Sequence, residues 1–347
     1  MKILLIDQLS PVGHINYDEF WVKALQDLNI EFEFIASNKL INELKIEQKN
    51  IKLIIPKNYY EKINNNNFFI REFYLLKILF YIKNNIDIKD YENIVFLSFE
   101  NFSMFFAYFF HKKNVLLILH NNLRRINQKI IYHIIKYLSK KVKLISLDFN
   151  INKNLNKMGI KNELIIHPQK EIKQKDNIEK NKKQILIFSP SVSSLSKKIL
   201  SEILQNKKLH LILQNKNIKL ILRDKKMKSS LENIIILDGF LSKEDYLNIL
   251  KKADVIFLPY KEDFNNRISG VLLEAIYLNK SLIIPKYNDL KNFLEFNKKG
   301  IVGFNNIEEL QNIFLRIENL LDKNDYKEIK DIYSLNRMKK NILGVIQ

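Results

Sequence analysis

Residues 254–285 read DVIFLPYKEDFNNRISGVLLEAIYLNKSLIIP. The apolar run at the start predicts a buried strand that ends at Pro259, and a polar loop follows it. Ser269 is a favourable N-cap residue, so we predict that a helix begins at Gly270. The next apolar run, 281–285, predicts a second strand that also ends in proline. Strand, helix and strand in this order predict one βαβ unit of a parallel sheet.

The same alternation of short apolar runs and amphipathic stretches continues over the rest of the chain, which predicts mostly parallel sheets. The predicted strands are 2–7, 31–35, 51–55, 93–98, 115–120, 142–147, 164–167, 184–188, 219–222, 233–237, 255–258 and 281–284. The predicted helices are 17–28, 70–82, 102–111, 128–139, 193–205, 243–252, 270–278, 307–321 and 326–346.

The length of 347 residues exceeds one ordinary core and suits two α/β domains of roughly 150 residues each. A charged stretch without apolar periodicity follows Pro168, and we predict an interdomain linker at 173–183. The predicted domains are 1–172 and 184–325, with a final segment, 326–347, that returns to the first domain. We therefore predict an α/β protein of two Rossmann-like, doubly wound domains that face each other across a cleft. Ligands of such sheets bind at the carboxyl ends of the strands, beside helix N-termini.

Several classes of protein are excluded or disfavoured by composition. The chain has no cysteine, which excludes disulfides and thiolate metal sites. It has no Asp-x-Asp triplet, so we predict no metal site, and it has neither Gly-x-Gly-x-x-Gly nor a Walker loop, which argues against dehydrogenases and P-loop NTPases. No apolar stretch approaches the roughly 20 residues of a membrane span. We expect a cytoplasmic protein.

The formal net charge of +19 has two interpretations. It is a result of composition, because Lys, Asn and Ile are frequent throughout the chain, or it attracts an anionic surface, either lipid headgroups or nucleic acid. Short basic clusters recur, but several flank predicted buried strands, so charge alone does not decide. No stacking platform or recognition motif supports nucleic acid as a partner.

The predicted helix in the window 254–285 begins with features of an anion-binding site. Gly270 would let a ligand approach the free N–H groups of the first helical turn, where the helix dipole favours an anion. Glu274 lies one turn further along the helix, where its carboxylate can accept hydrogen bonds from a diol such as a ribose.

This window resembles the retaining GT-B glycosyltransferases of the glycogen-synthase and lipopolysaccharide-mannosyltransferase type, the glycosyl transferases group 1. The resemblance implies that Glu274 binds the nucleotide ribose and that the amides of Ser269, Gly270 and Val271 hold the donor diphosphate. Asn266 stands where the family has a first glutamate, and Arg267 where it has a small residue.

A weaker resemblance extends over most of the chain. It implies that Leu241, in the segment 238–242 that precedes Tyr246, lies near the base. It also implies that Gly13 and His14 lie on the acceptor side and that His120 positions the donor sugar. The family's Gly-Arg-Leu and lysine are replaced by residues 189–191. The candidates for neutralising the diphosphate in their place are Lys198, Arg223 and Arg267.

The activity implied by the resemblance is hexosyl transfer from a UDP- or GDP-sugar to a hydroxyl of a surface polysaccharide or lipid-linked glycan. It implies retention at the anomeric carbon and no metal or other cofactor. The basic surface would then lie against the anionic inner face of the membrane. The alternatives are a nucleotide-sugar epimerase, a non-catalytic GT-B partner subunit and a basic nucleic-acid-binding protein.

Overall fold

The computed structural model describes residues 1–9, 15–63, 67–170, 172, 184–191, 194–225, 227–239, 241–321 and 324–347. The chain divides into two compact units. The first unit consists of Met1–Pro168, Asn266–Ile268 and Tyr333–Gln347, and the second of Gln169–Asn265 and Ser269–Ile332. The predicted linker 173–183 lies outside the described residues.

Strands and helices alternate along both units. The strands are β1 (Lys2–Asp7), β2 (Glu31–Ser37), β3 (Ile51–Ile55), β4 (Asn93–Ser98), β5 (Val115–Ile118), β6 (Lys143–Ser146), β7 (Glu163–Leu164), β8 (Ile185–Ser189), β9 (Ile218–Arg223), β10 (Ile234–Leu237), β11 (Val255–Phe257), β12 (Ser281–Pro285) and β13 (Ile301–Phe304). The helices are α1 (Ile15–Asp27), α2 (Asn38–Leu44), α3 (Lys57–Ile63), α4 (Phe68–Asn85), α5 (Asn101–Phe106), α6 (Lys129–Lys141), α7 (Phe149–Lys157), α8 (Lys197–Gln205), α9 (Lys207–Asn215), α10 (Lys243–Lys252), α11 (Gly270–Tyr277), α12 (Ile307–Leu315), α13 (Lys327–Ile332) and α14 (Leu335–Ile346). Short 3₁₀ helices lie at Gln48–Asn50, Ile88–Asp90, Tyr108–Phe110, Asp289–Phe296 and Ile317–Leu320. Among the described residues, no helix is both long and apolar enough to cross a bilayer.

Each unit has one parallel sheet with doubly wound strand order. In the described part of the first unit, seven strands follow the order β3-β2-β1-β4-β5-β6-β7. In that of the second, six strands follow the order β10-β9-β8-β11-β12-β13. The order reverses between β1 and β4 in the first sheet and between β8 and β11 in the second. The Rossmann-like α/β class predicted from the sequence is confirmed.

The core of the first unit lies on both faces of its sheet. Leu4 and Ile6 of β1 pack with α4 and α6 on one face, and Ile3 and Leu5 pack with α1 and α14 on the other. Every residue of β4 is buried. Central strands of a parallel sheet are covered on both sides, which explains their continuous apolar sequence.

The C-terminal segment forms two helices where the sequence predicted one. Ser334 caps α14 by accepting a hydrogen bond from the backbone N of Arg337 at 3.2 Å, which separates α14 from α13. The apolar side of α14 buries Met338, Ile342 and Val345 in the core of the first unit.

Asparagine occupies the left-handed position after three of the helices. Asn29, Asn217 and Asn279 follow α1, α9 and α11 with φ of 52°, 49° and 52°. The backbone N–H of each asparagine donates to the carbonyl oxygen three residues earlier at 3.0 Å. This hydrogen bond satisfies a carbonyl of the last helical turn, which has no partner within the helix. The chain has only seven glycines, and asparagine is the next residue that adopts this geometry readily.

The substitution Ile342→Ala tests the packing of α14 in the first unit. Ile342 is fully buried, so its truncation leaves a cavity, and we expect the free energy of unfolding to fall by roughly 2–5 kcal/mol. The exposed Lys340→Ala on the same helix is the control and should change it by less than about 0.5 kcal/mol. Equal effects in urea titrations of both variants would contradict the packing.

Candidate functional site

The start of α11 is fixed by the loop that follows β11. The Oγ of Ser269 accepts a hydrogen bond from the backbone N of Leu272 at 3.2 Å, which confirms the predicted N-cap. The hydroxyls of Tyr260 and Ser269 are 3.2 Å apart and hydrogen-bonded, and Tyr260 itself forms a β-bridge with Leu195. The Ser269 hydroxyl, which caps α11, is therefore held by Leu272 of the helix and by Tyr260 of the preceding loop.

The first turn of α11 is open in front of Gly270. Gly270 is exposed, and a Cβ at this position would meet no other atom within 4 Å. Among the described residues, the backbone N–H groups of Gly270 and Val271 have no hydrogen-bond acceptor. The first N–H groups of a helix lack intrahelical partners and carry its positive dipole end, so an anion placed here would be stabilised.

Glu274 lies one turn further, joined to the neighbouring helix. Its Oε2 accepts a hydrogen bond from the hydroxyl of Tyr246 on α10. Burial raises the pKa of Glu274 above its ordinary value, opposed by the hydrogen bond from Tyr246 and by the charge of Lys243. The ring centroid of Tyr246 lies 6.4 Å from that of Phe188, which places Tyr246 beside the carboxyl end of the interior strand β8. Among the described residues, no hydrogen-bond donor contacts the other carboxylate oxygen, Oε1 of Glu274.

Arg223, at the end of β9, connects the loops after the two adjacent strands. Its guanidinium donates to the carbonyl oxygens of Pro190 and Gly239, both at 2.7 Å, while its buried Nε has no partner in the described chain. Burial lowers the pKa of Arg223, with an opposing influence from Tyr246. The structure therefore brings Arg223, Tyr246 and Glu274 together at the carboxyl edge of the second sheet.

Lys198 lies near the same edge. It is exposed in the first turn of α8, whose N-cap residue is Ser196. The backbone N of Ser196 donates to the carbonyl of Pro259 at 2.7 Å, so the start of α8 lies beside the loop after β11. Leu241 is half-buried just beyond the carboxyl end of β10.

Other residues predicted for the site belong to the first unit. Asn266 has a left-handed backbone with φ of 54°, and Arg267 is half-buried. His120 is 9% exposed just after β5, with its ring edge-on to that of Tyr17 at 4.7 Å. Gly13 and His14 lie outside the described residues. The roles of all these residues stay predictions.

Sequence reasoning assigned no role to two tyrosines and one aspartate. Tyr246 contacts Glu274, and Tyr260 contacts Ser269, although each pair comes from separate segments of the chain. The sequence feature that could have indicated Tyr260 is its position directly after a predicted strand that ends in proline. In the first unit, Asp18 is fully buried near Asp7, and burial, followed by the charge of Asp7, raises its pKa well above the usual range. The sequence did not indicate this burial, because an acidic residue in the first turn of a helix is usually exposed and stabilises the helix dipole.

The substitution Glu274→Gln should stabilise the protein at neutral pH. Folding raises the pKa of Glu274, so the folded state keeps a proton that the unfolded state releases above pH 4.5. The free energy of unfolding therefore falls as pH rises from 4.5 through the folded-state pKa. Glutamine removes this loss while it can still accept the hydrogen bond from Tyr246. We expect the free energy of unfolding at pH 7 to rise by roughly 0.5–2 kcal/mol.

The control is Glu232→Gln, an exposed residue ahead of β10 at the opposite edge of the sheet. It should change stability by less than about 0.5 kcal/mol. Thermal unfolding of the three proteins at pH 4 and pH 7 distinguishes them. A destabilised Glu274→Gln variant at pH 7 would show that the buried carboxylate is favourable in the folded state.

No protein-family model and no curated protein sequence matches the chain. Solved structures match it over nearly its whole length. A variant of S. aureus TarM in complex with fondaparinux, α-GlcNAc-glycerol and UDP is 12% identical and covers 100% of this chain and 99% of its own, with a TM-score of 0.65. The trehalose-6-phosphate synthase OtsA is 10% identical, covers 100% and 99%, and has a TM-score of 0.62. S. aureus MnaA with UDP is 14% identical, covers 99% and 95%, and has a TM-score of 0.53. With the two parallel sheets, these matches show that the chain has the GT-B fold of two Rossmann-like α/β units.

Proposed function

We propose that this protein is a glycosyltransferase that moves a sugar from a UDP- or GDP-sugar to an acceptor hydroxyl. The observation that carries the proposal is the open first turn of α11 at Gly270, with the buried carboxyl of Glu274 one turn behind it. An anion-binding helix end and a diol-binding carboxylate at this spacing fit the diphosphate and ribose of a nucleotide.

The donor diphosphate would lie against the amides of Ser269, Gly270 and Val271. As the nucleoside diphosphate leaves, negative charge develops on its oxygens, and fixed N–H groups stabilise that charge without reorganising. We propose Arg223 and Lys198 as the cations at this edge. Arg223 is already fixed by two carbonyl oxygens, so its remaining N–H groups have a defined direction.

The ribose hydroxyls would donate to Glu274. Tyr246 occupies Oε2 and orients the carboxylate, which leaves Oε1 to accept from the ligand. A raised pKa is consistent with this role, because a buried carboxyl that lacks enough donors gains most when a ligand supplies them. Leu241 would contact the base.

The remaining residues have proposed roles that the first unit would supply. His120 would position the donor sugar, and Arg267 would help to neutralise the diphosphate. Asn266 would replace the first glutamate of the resembling family, and Gly13 and His14 would lie on the acceptor side. We propose transfer with retention, no metal requirement, and an acceptor that is a surface polysaccharide or lipid-linked glycan. Such an acceptor would place the enzyme at the inner face of the membrane.

The solved structures support a nucleotide ligand in this fold. The TarM and MnaA structures both contain UDP, and OtsA is a synthase. UDP is therefore the first nucleotide to test. The replacement at Asn266 favours one alternative, a GT-B partner subunit that binds the nucleotide and transfers no sugar.

Calorimetric titration with UDP, GDP and their common sugars tests the donor site. We expect micromolar binding of one nucleotide that weakens by roughly 10- to 100-fold in Glu274→Ala, the ordinary loss for a hydrogen bond to a charged group. Glu232→Ala, at the opposite sheet edge, should bind as the parent does. The absence of binding by the folded protein to every nucleotide would overturn the proposal. Binding without turnover of the sugars would favour the partner subunit.

Gly270→Ala separates the helix end from the rest of the site. The added methyl group would meet no atom within 4 Å beyond its chain neighbours and its own helix, and alanine favours the helix, so stability should not fall. The methyl group would, however, lie where we propose that the diphosphate approaches. We expect at least about tenfold weaker nucleotide binding. Gly344→Ala in α14 is the matched control, because its added methyl group also meets no atom within 4 Å. Unchanged affinity in both variants would exclude α11 as the diphosphate site.

A further inference from the structure

One segment of the first unit is basic and free of acidic residues. Residues 101–147 contain nine basic residues and neither aspartate nor glutamate. The basic residues are Lys112, Lys113, Arg124, Arg125, Lys129, Lys136, Lys140, Lys141 and Lys143. The whole chain, in contrast, has 38 acidic residues for 57 basic ones, so a general excess of lysine does not account for the segment.

The same part of the first unit exposes large apolar side chains. They lie on α4, α5, α6 and the 3₁₀ helix Tyr108–Phe110, which cover one face of the sheet. Their exposed fractions far exceed those of core residues: Phe69 80%, Tyr108 73%, Phe106 60%, Ile130 59% and Phe73 55%. We call this set of five, with the surrounding lysines, the aromatic-basic face. A cluster of this kind on a protein surface marks an interaction site.

The exposed residues of α4 form one helical stripe. Phe69, Phe73 and Phe80 are separated by four and seven residues, so they share a side of the helix. The buried residues of α4, such as Ile78 and Leu79, lie on the opposite side against the sheet. α4 thus has apolar residues on two opposite sides: one side packs against the sheet, and the other is exposed to water.

Ring contacts join the elements into one surface. Phe80 of α4 lies 5.0 Å from Phe109, between centroids, and Phe105 of α5 lies 5.2 Å from Tyr137 of α6. Phe68 of α4 similarly lies 5.3 Å from Phe102 of α5. Each of these contacts joins two of the elements that carry the exposed side chains of the aromatic-basic face.

Lysines lie among the rings of the aromatic-basic face. The Nζ of Lys77 is 4.6 Å from the ring centroid of Phe73, and that of Lys83 is 5.3 Å from Phe109. Two acidic residues close in sequence to these elements, Glu72 of α4 and Glu100 before α5, are engaged within the protein. Arg71 pairs with Glu100, and Glu72 accepts a hydrogen bond from the backbone N of Ser103 at 3.0 Å.

We propose that the aromatic-basic face binds the headgroup region of an anionic lipid bilayer. Aromatic and aliphatic side chains enter the boundary between headgroups and acyl chains, while lysines around them meet lipid phosphates. Nucleic acid fits less well, because Ile130 cannot stack on a base and most of the cations are lysines. No residue of the aromatic-basic face is among those proposed for the nucleotide site, so either proposal can fail alone.

Sedimentation with lipid vesicles tests the proposal. We expect the protein to bind vesicles of equal parts phosphatidylcholine and phosphatidylglycerol, not phosphatidylcholine alone, and to dissociate as salt is raised. The triple variant Lys112→Gln, Lys129→Gln, Lys140→Gln should lower the partition coefficient by about a hundredfold at low salt. Phe69→Gln with Tyr108→Gln should lower it by at least about tenfold. All five side chains are exposed, so these variants should fold.

Matched controls lie on the second unit. Lys207→Gln with Lys208→Gln removes exposed lysines, and Leu211→Gln with Leu315→Gln removes exposed apolar side chains. These variants should bind vesicles as the parent does. Equal losses in the controls, or no binding of the parent to anionic vesicles, would overturn the proposal. Binding of duplex DNA in place of vesicles, lost in the lysine variant, would overturn it in favour of nucleic acid.

A Tyr108→Trp variant reports the depth of contact. Trp21 is fully buried, so quenching by bromine-labelled lipids would come from the new indole. We expect quenching with anionic labelled vesicles and unchanged nucleotide affinity. Bound protein without quenching would overturn this orientation on the membrane.

Discussion

Both faces of each parallel sheet have to be covered, and the placement of polar groups depends on this constraint. The interior strands β1, β4 and β12 carry apolar side chains into the core on either side, so polar chemistry is confined almost entirely to strand ends. Arg223 is the last residue of β9, and α11 follows β11 after the loop 258–269. The site of the second unit is therefore a product of sheet topology, and its residues come from segments far apart in sequence.

The fold was largely predictable because a buried parallel strand has a strong sequence pattern. Strands β1, β3 and β4 have the predicted limits. The strand β13 was missed because it is short and contains Gly303, which weakens its apolar pattern. The predicted helix 102–111 ends at Phe106 and continues as a 3₁₀ turn, because Phe109 and Phe110 turn into the core at an angle that one straight helix does not provide.

The candidate site was predictable only where its chemistry is local. Ser269 and Glu274 lie within one βαβ unit, where N-cap chemistry indicated the start of α11 and the family resemblance indicated Glu274; the N-cap is confirmed, and the ligand roles stay predictions. Tyr246 and the carbonyl partners of Arg223 depend on contacts between separate loops, and no local pattern encodes them. The aromatic-basic face shows the same limit, because its phenylalanines read as core residues until the structure leaves them exposed.

The asparagines that end α1, α9 and α11 also matter for the unfolded chain. A glycine at each position would widen the range of backbone conformations sampled before folding, and all of that freedom would be lost in the native state. Asparagine reaches the same left-handed geometry from a narrower ensemble. With seven glycines in 347 residues, this protein gives up less backbone entropy on folding than a glycine-capped chain of the same architecture would.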